Sequence, residues 1–476
     1  MRNKSQLAVL SLAAFMASLD VFIVNVAFDD IGADLGARSV SELSWVLNAY
    51  AIVYAALLVP AGRAADRYGR KGGFLLGLAL FTAASAACAL ADEVWVLVAF
   101  RMIQALGAAL LTPASLGLVV ASAPPEERVR AVRIWAATGA VAAALGPVVG
   151  GLLVEASWRW IFLVNVPVGA LALVAAARIV RPSRDPSVTR LPDLGGAALL
   201  ATGVGALTLG LVQGPAWGWL SLRSGAAWAV AVLALLGFVL RSRRHPVPLV
   251  EPALLRVRTF AWANVTVLLF SVTFAASLLS VVLWMQQVWG WSAIRTGLGV
   301  APGPLMVPLF AALTQRVRIP IWNAVSLGCL LLAAGGLVNA ARLGAQPDYL
   351  TDFLPGWLIG GAGVGLALPS MLAASTAELP PARAATGSAV VNMSRQIGTA
   401  VGVAMLAAVL GTPVGYPATH AAFTHVWWAM AAFGALAAVT AFGMNPRRRG
   451  GTVGAPLIEE ARCAAPSHSS PVAPSS

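Results

Sequence analysis

Three ionisable side chains stand inside long apolar runs of this 476-residue chain: Asp20, Arg101 and Arg395. If those runs cross a bilayer, each charge costs on the order of 3 kcal/mol on insertion scales, so each needs a function or a partner. Asp20 is the only carboxylate well inside a run. A carboxylate withdrawn from water holds a proton more readily than one in water, and a group that takes up and releases a proton inside a membrane is what ion-coupled carriage requires. The competing reading of Asp20 is structural: a buried ion pair, or a cap on a neighbouring helix. Arg101 lies about a third of the way into its run and is followed at helical spacing by Gln104 and Gly107. From that depth its guanidinium can also snorkel to an interface. Arg395, in Asn392-Met-Ser-Arg-Gln-Ile-Gly398, stands too deep for easy snorkelling and is expected to line a polar path or pair with a carboxylate.

Helices must carry these groups. A membrane-spanning helix takes roughly 20 mostly apolar residues, and fourteen such stretches begin close to Leu7, Leu43, Gly73, Val94, Ala131, Trp158, Asp193, Gly225, Thr259, Thr296, Asn323, Thr351, Thr386 and Ala421. The seventh, eighth and tenth are short or carry several Gly and Pro residues. A bilayer offers no water to unpaired backbone groups, so the runs are read as helices, whereas a barrel would show shorter alternating segments. The expected fold is an all-α polytopic membrane bundle. Composition agrees: 11% charged residues, against about 25% in soluble proteins, cannot coat a water-facing surface of this size, which excludes a soluble enzyme. The first run continues to Phe28, longer than a signal-peptide core and without a small-residue cleavage site before a soluble segment. It is read as the first span.

A net charge of +13 would, in a soluble chain, suggest nucleic acid. With the N-terminus inside, however, the inner segments hold twenty-five Lys and Arg, and the outer loops only Arg38, Arg159, Arg223, Arg295 and Arg342. That asymmetry is the positive-inside pattern. It places both termini in the cytoplasm and makes the lipid bilayer the partner, with no nucleic acid expected. Trp45, Trp95, Trp158, Trp160, Trp289, Trp291 and Trp357 flank the outer loops as an interfacial belt.

An internal repeat appears at an offset of 256 residues: Leu106–Pro113 resembles Ala362–Pro369, Pro124-Pro125 pairs with Pro380-Pro381, and Gly146 with Gly402. Both Pro-Pro pairs lie in inner loops, so the repeats run parallel, an arrangement known from transporters with a substrate path between two six-helix halves. The expected organisation is a six-helix half over 1–180, linkers and two additional helices over 181–258, a second six-helix half over 259–444, and a disordered cytoplasmic tail over 445–476, rich in Pro, Ser and Ala.

Five segments carry a family resemblance. Gly62-Arg-Ala-Ala-Asp66-Arg67-Tyr-Gly69-Arg70-Lys71 resembles the signature loop of the major facilitator superfamily. Ser18-Leu-Asp20-Val-Phe-Ile-Val-Asn25-Val-Ala27 looks like the first-helix motif of its fourteen-span drug:proton antiporter family. Phe100-Arg101-Met-Ile-Gln104-Ala-Leu-Gly107 is similar to the proton-transfer motif of helix four, and Leu145-Gly146-Pro147-Val-Val-Gly150-Gly151 to the antiporter motif of helix five. Trp158-Arg-Trp160-Ile-Phe162-Leu-Val-Asn165-Val-Pro167-Val-Gly169 resembles the start of helix six. The resemblance covers about residues 7 to 444. It implies a major facilitator fold, proton coupling through Asp20 and Arg101, a conformational latch at Gly62, Asp66, Arg67, Gly69 and Arg70 that stabilises an outward-open state, and a hinge or seal at Gly146, Pro147, Gly150 and Gly151. The chain departs from the family pattern in three places: Asp29-Asp30 stands where a Pro usually follows the first-helix motif, Ala142 replaces a Gly, and Thr314-Gln-Arg316-Val-Arg318-Ile-Pro320 lacks the Asp and Gly of the signature loop.

Other chemistry has little support. Cys88, Cys329 and Cys463 have no paired spacing, and His245, His420, His425 and His468 form no metal motif. No Gly-x-x-x-x-Gly-Lys loop is present, so no cofactor is expected and proton-motive force is the economical energy source. Polar or aromatic candidates for a substrate cavity are Asn25, Gln104, Asn264, Phe274, Gln286, Asn392 and Arg395, although helix-packing hydrogen bonds explain the polar ones equally well. The leading functional expectation is proton-coupled export of an amphipathic drug or antibiotic. Dedicated export of a self-made metabolite is the alternative, consistent with thirty Arg against two Lys, a bias that GC-rich genomes produce. A non-transporting receptor or scaffold is the reading from another class.

Overall fold

The computed structural model describes residues 2–445 except 187, 189, 191, 192 and 318. Apart from Asn445, the expected tail over 445–476 lies outside the described residues, as do Arg318, Cys463 and His468. Among the described residues, fourteen helices are long and apolar enough to cross a membrane: α1 (Lys4–Val26), α2 (Val40–Tyr68), α3 (Arg70–Ala89), α4 (Val94–Ser122), α5 (Pro125–Val154), α6 (Trp160–Ile179), α7 (Leu194–Trp217), α8 (Leu222–Arg244), α9 (Arg258–Val288), α10 (Ala293–Thr314), α11 (Ile321–Arg342), α12 (Tyr349–Ala377), α13 (Thr386–Leu410) and α14 (Tyr416–Met444). No strand occurs among them. Each helix begins within six residues of the start read from hydropathy.

Local chemistry explains the irregular ends. The tenth span breaks after Val300 and resumes at Pro302, where a residue without a backbone N–H starts a helix without forfeiting a bond. Beyond α1, Asp29 and Asp30 lie in the first turn of a short helix, Phe28–Asp34, where carboxylates favour the positive helix end. Partial burial, and then Asp29 beside it, raises the Asp30 carboxyl above its ordinary range.

The repeat offset has a packing counterpart. A Cβ built on Gly146 would lie 2.5 Å from Phe22 Cβ on α1, and one on Gly402 would lie 2.9 Å from Val272 Cα on α9. Gly107 meets α3 in the same way, with Phe81 N at 2.6 Å, and Gly363, 256 positions on, meets α11 with Leu332 N at 2.7 Å. Glycine lets paired helices approach to backbone contact, and the same pairs recur in both repeats. The two additional helices α7 and α8 pack on each other, and α7 lies against both α2 and α13. One apolar cluster holds Ile23, Val24 and Val154 together with Val282, Ala293 and Val300, joining the two repeats near the ends of α1 and α9.

Candidate functional site

Asp20 is fully buried; α4 and α6 deliver side chains to it, and α2 and α3 hold those side chains in place. Arg101 Nη1 on α4 donates to Asp20 Oδ2 at 2.5 Å and to Gln104 Oε1 at 2.5 Å. Gln104 Nε2 donates to Asp20 Oδ1 at 2.9 Å and to Ser85 Oγ on α3 at 2.7 Å. Asn165 Nδ2 on α6 donates to the same Asp20 Oδ1 at 3.0 Å. From α2, the Val46 carbonyl accepts from Arg101 Nε at 3.3 Å, and the Tyr50 ring lies 4.2 Å from the Arg101 guanidinium carbon. Both charges are thus balanced and hydrogen-bonded by protein groups, the condition under which a buried pair is tolerated.

This geometry decides between the two readings of Arg101. Arg101 is not an interfacial anchor: it is 1% exposed and aimed inward. Gln104, a substrate-cavity candidate by sequence, is fully buried here with both of its polar atoms on the Asp20 network. Ser85, Asn165 and Tyr50 were missed as site residues. Asn165 stood inside a recognised motif, but nothing around Ser85 or Tyr50 in the sequence marks them.

The glycine motif of α5 begins two residues along α1 from this network. Gly146 faces Phe22 and Gly150 faces Ile23, whereas Gly151 meets Ile294 Cα of α10, where an added Cβ would stand at 2.6 Å. Gly297 of α10 packs in turn against the backbone of Pro147. One short stretch of α5 therefore grips α1 on one face and α10 on another. Beside it, Gln286 Nε2 donates to the Val26 carbonyl at 2.8 Å and Gln287 Nε2 to Asp29 Oδ1 at 3.1 Å, bonding the two repeats at this end.

At the opposite end, Asp66 Oδ1 lies 2.6 Å from Arg70 Nε, and the Arg70 and Asp185 amides bond across to Ser183 and Asp66 carbonyls at 2.8 Å. In this conformation the loop is tied to the segment following α6. Gly69 adopts φ +126°, which a side chain would strain, and Gly62 faces Pro113 with a Cβ distance of 3.1 Å. The link to the second repeat at this end runs through Glu251, 3.0 Å from Arg63 and 3.7 Å from Arg383.

The remaining candidates divide. Asn25 Nδ2 bonds the Val21 carbonyl of its own helix at 3.0 Å, and Asn264 Oδ1 accepts from Ser394 Oγ at 2.8 Å between α9 and α13. Gln286 bonds the Val26 carbonyl, as described above. These three are buried and make packing hydrogen bonds here. Phe274, stacked on Phe270 at 6.2 Å, and Asn392 and Arg395 are partly exposed. Arg395 has no carboxylate partner among the described residues, and its buried Nε has no hydrogen-bond partner.

A duplicated bundle of fourteen long apolar helices with a charge pair at its interior defines a multi-pass membrane protein. A family model of the Major Facilitator Superfamily matches residues 10–403. The methylenomycin A resistance protein of Streptomyces coelicolor is 34% identical over 413 residues, covering 85% of each chain. The tetracenomycin C resistance and export protein of Streptomyces glaucescens is 33% identical over 415 residues, covering 86% of this chain and 76% of that one. A crystal structure of the peptide transporter POT in complex with sulfate shares the fold, with a TM-score of 0.66 at 18% identity over 93% of this chain and 94% of that one. The chain belongs to the major facilitator superfamily.

Proposed function

We propose that the protein is a proton-coupled antiporter that exports an amphipathic drug or antibiotic across the cytoplasmic membrane, with both termini in the cytoplasm. The observation that carries this reading is the fully buried Asp20–Arg101 pair, placed two residues from the point where α5 grips α1. Protonation of Asp20 removes the charge that balances Arg101, loosens α1 from α4, and thereby acts on the contacts of Phe22 and Ile23 with Gly146 and Gly150. Those contacts are continuous with the α5–α10 crossing, so a proton arriving at Asp20 bears directly on closure between the halves. Closure at Val26 and Gln286 corresponds, with the N-terminus inside, to an inward-facing stage. Energy comes from the proton-motive force, about 2.3 kcal/mol per charge per 100 mV.

The names of the two Streptomyces relatives, one for resistance and one for resistance and export, support efflux, and the second also supports dedicated export of a metabolite made by the same cell. The working division is a first half over 1–180, two additional helices with their linkers over 181–258, and a second half over 259–444, with Asp66, Arg67 and Arg70 acting as the latch when the inner side closes. The test is pH-driven uptake of a fluorescent drug into inverted membrane vesicles. Wild-type vesicles should accumulate it and Asp20→Asn vesicles should not; retained pH-dependent transport in the variant removes Asp20 from the reading.

A further inference from the structure

Arg395 differs from Arg101 in having no counter-charge. It stands nine residues from Thr386 and fifteen from Leu410, the two ends of α13, about 14 and 22 Å at 1.5 Å per residue, deeper than the interfacial positions from which an arginine snorkels. Away from the helix ends, Asp20 is the only carboxylate in any described span, and both its oxygens are occupied by Arg101, Gln104 and Asn165. Among the described residues no hydrogen bond or ion pair holds the Arg395 guanidinium, and its Nε is buried without a partner. The side chain is nonetheless partly exposed, as is Asn392 three positions earlier, and Tyr54 on α2 is its electrostatic neighbour. It therefore faces the seam between the repeats, where α2 packs on α13. Tyr54 stacks on Tyr50 at 5.9 Å, and Tyr50 covers Arg101 at 4.2 Å, so one face of α2 joins Arg395 to the Asp20 network.

A guanidinium kept unpaired at mid-membrane is costly unless something with the opposite charge visits it. Its planar fork suits the two oxygens of a carboxylate. We propose that Arg395 is the anchoring cation for an anionic group on the transported molecule, so that the preferred cargo is an amphipathic acid. This rests on the export reading above and names its substrate class.

The test compares three fluorescent probes of one skeleton: pyrenebutyrate, its methyl ester, and the pyrenebutyl trimethylammonium cation. Binding to the purified full-length protein is read by energy transfer from tryptophan, and export by efflux from proteoliposomes under an imposed pH gradient. Wild type should bind the acid at least about tenfold more tightly than the ester, the scale of one hydrogen bond to a charged group. Arg395→Gln should bind acid and ester alike, with affinity for the ester unchanged. Arg395→Lys keeps the charge but not the fork and should retain a weaker preference; it also serves if the Gln variant fails to fold. The proposal is overturned if wild type binds none of the probes, does not discriminate or prefers the cation, if Arg395→Gln keeps the preference for the acid, or if Arg395→Lys loses it. Selective binding of the acid without movement of any probe would instead sink the export reading and leave the anion site standing.

Discussion

Asp20 and Arg101, 81 residues apart in the chain, meet at 2.5 Å with both side chains sealed from solvent. The charge pairing between α1 and α4 exists only while Asp20 is ionised. Asp20→Asn keeps the shape of the side chain and an acceptor for Arg101 but removes the charge permanently. Its expected phenotype is loss of export driven by a pH gradient, with probe binding retained. Parallel measurements of counterflow and gradient-driven flux on the purified variant separate the two, and an unchanged gradient-driven rate would contradict the assignment.

Gln104 is the hub of the network, since its two polar atoms serve Asp20, Ser85 and Arg101. Gln104→Leu should destabilise the protein by about 1–3 kcal/mol by leaving buried groups unsatisfied. Asn25→Leu should have a smaller effect, because Asn25 Nδ2 bonds only carbonyls of its own helix. Thermal melting of the two purified variants against wild type checks the ordering.

The α5–α10 crossing depends on side chains being absent. A Cβ on Gly151 would meet Ile294 Cα at 2.6 Å, so Gly151→Val should force the helices apart. A cysteine introduced by Asp29→Cys should then react faster with a membrane-impermeant maleimide in intact cells. Gly72→Ala is the control: a Cβ there meets nothing within 4 Å, and labelling should not change.

Glu251 bridges Arg63 and Arg383, and all three are partly exposed, so each contact is worth at most about 1 kcal/mol. Glu251→Gln should therefore shift the conformational balance modestly, favouring wider separation at this end. Spin-label distances between the α2–α3 and α12–α13 loops measure it; an unaltered distribution would show that the bridge does not restrain the halves.

Hydrogen bonds first from Trp158 Nε1 and then from Arg159 hold the Asp34 carboxyl below its ordinary range. A depressed carboxylate stabilises the fold fully above its unfolded pKa, near 3.9, and loses that contribution as pH falls through the lower folded value. The melting temperature of wild type should fall towards that of Asp34→Asn as pH is lowered below about 4. The gap is small because the site is exposed, and a gap that does not change with pH would contradict the linkage.

Hydropathy alone located the fourteen helices, because crossing a membrane imposes a local requirement that each segment meets with its own residues. Charge asymmetry pointed to an orientation for the same reason. Gly146, Pro147, Gly150 and Gly151 were legible as a motif, but not the division of labour between α1 and α10, which needs both partners in place. Gln104 shows the limit most clearly: its type and depth mark it as a polar group inside a span, and only its neighbours in space join it to Asp20, Ser85 and Arg101. Ser85 and Asn165, 80 residues apart, carry no mutual spacing that a linear reading can use. Residue types and hydropathy say which charges are expensive in a membrane. Only the packing of α1, α3, α4 and α6 around one carboxylate determines that Arg101 is compensated and that Arg395 is not, because a Coulomb partner is set by distance in space and not by position along the chain.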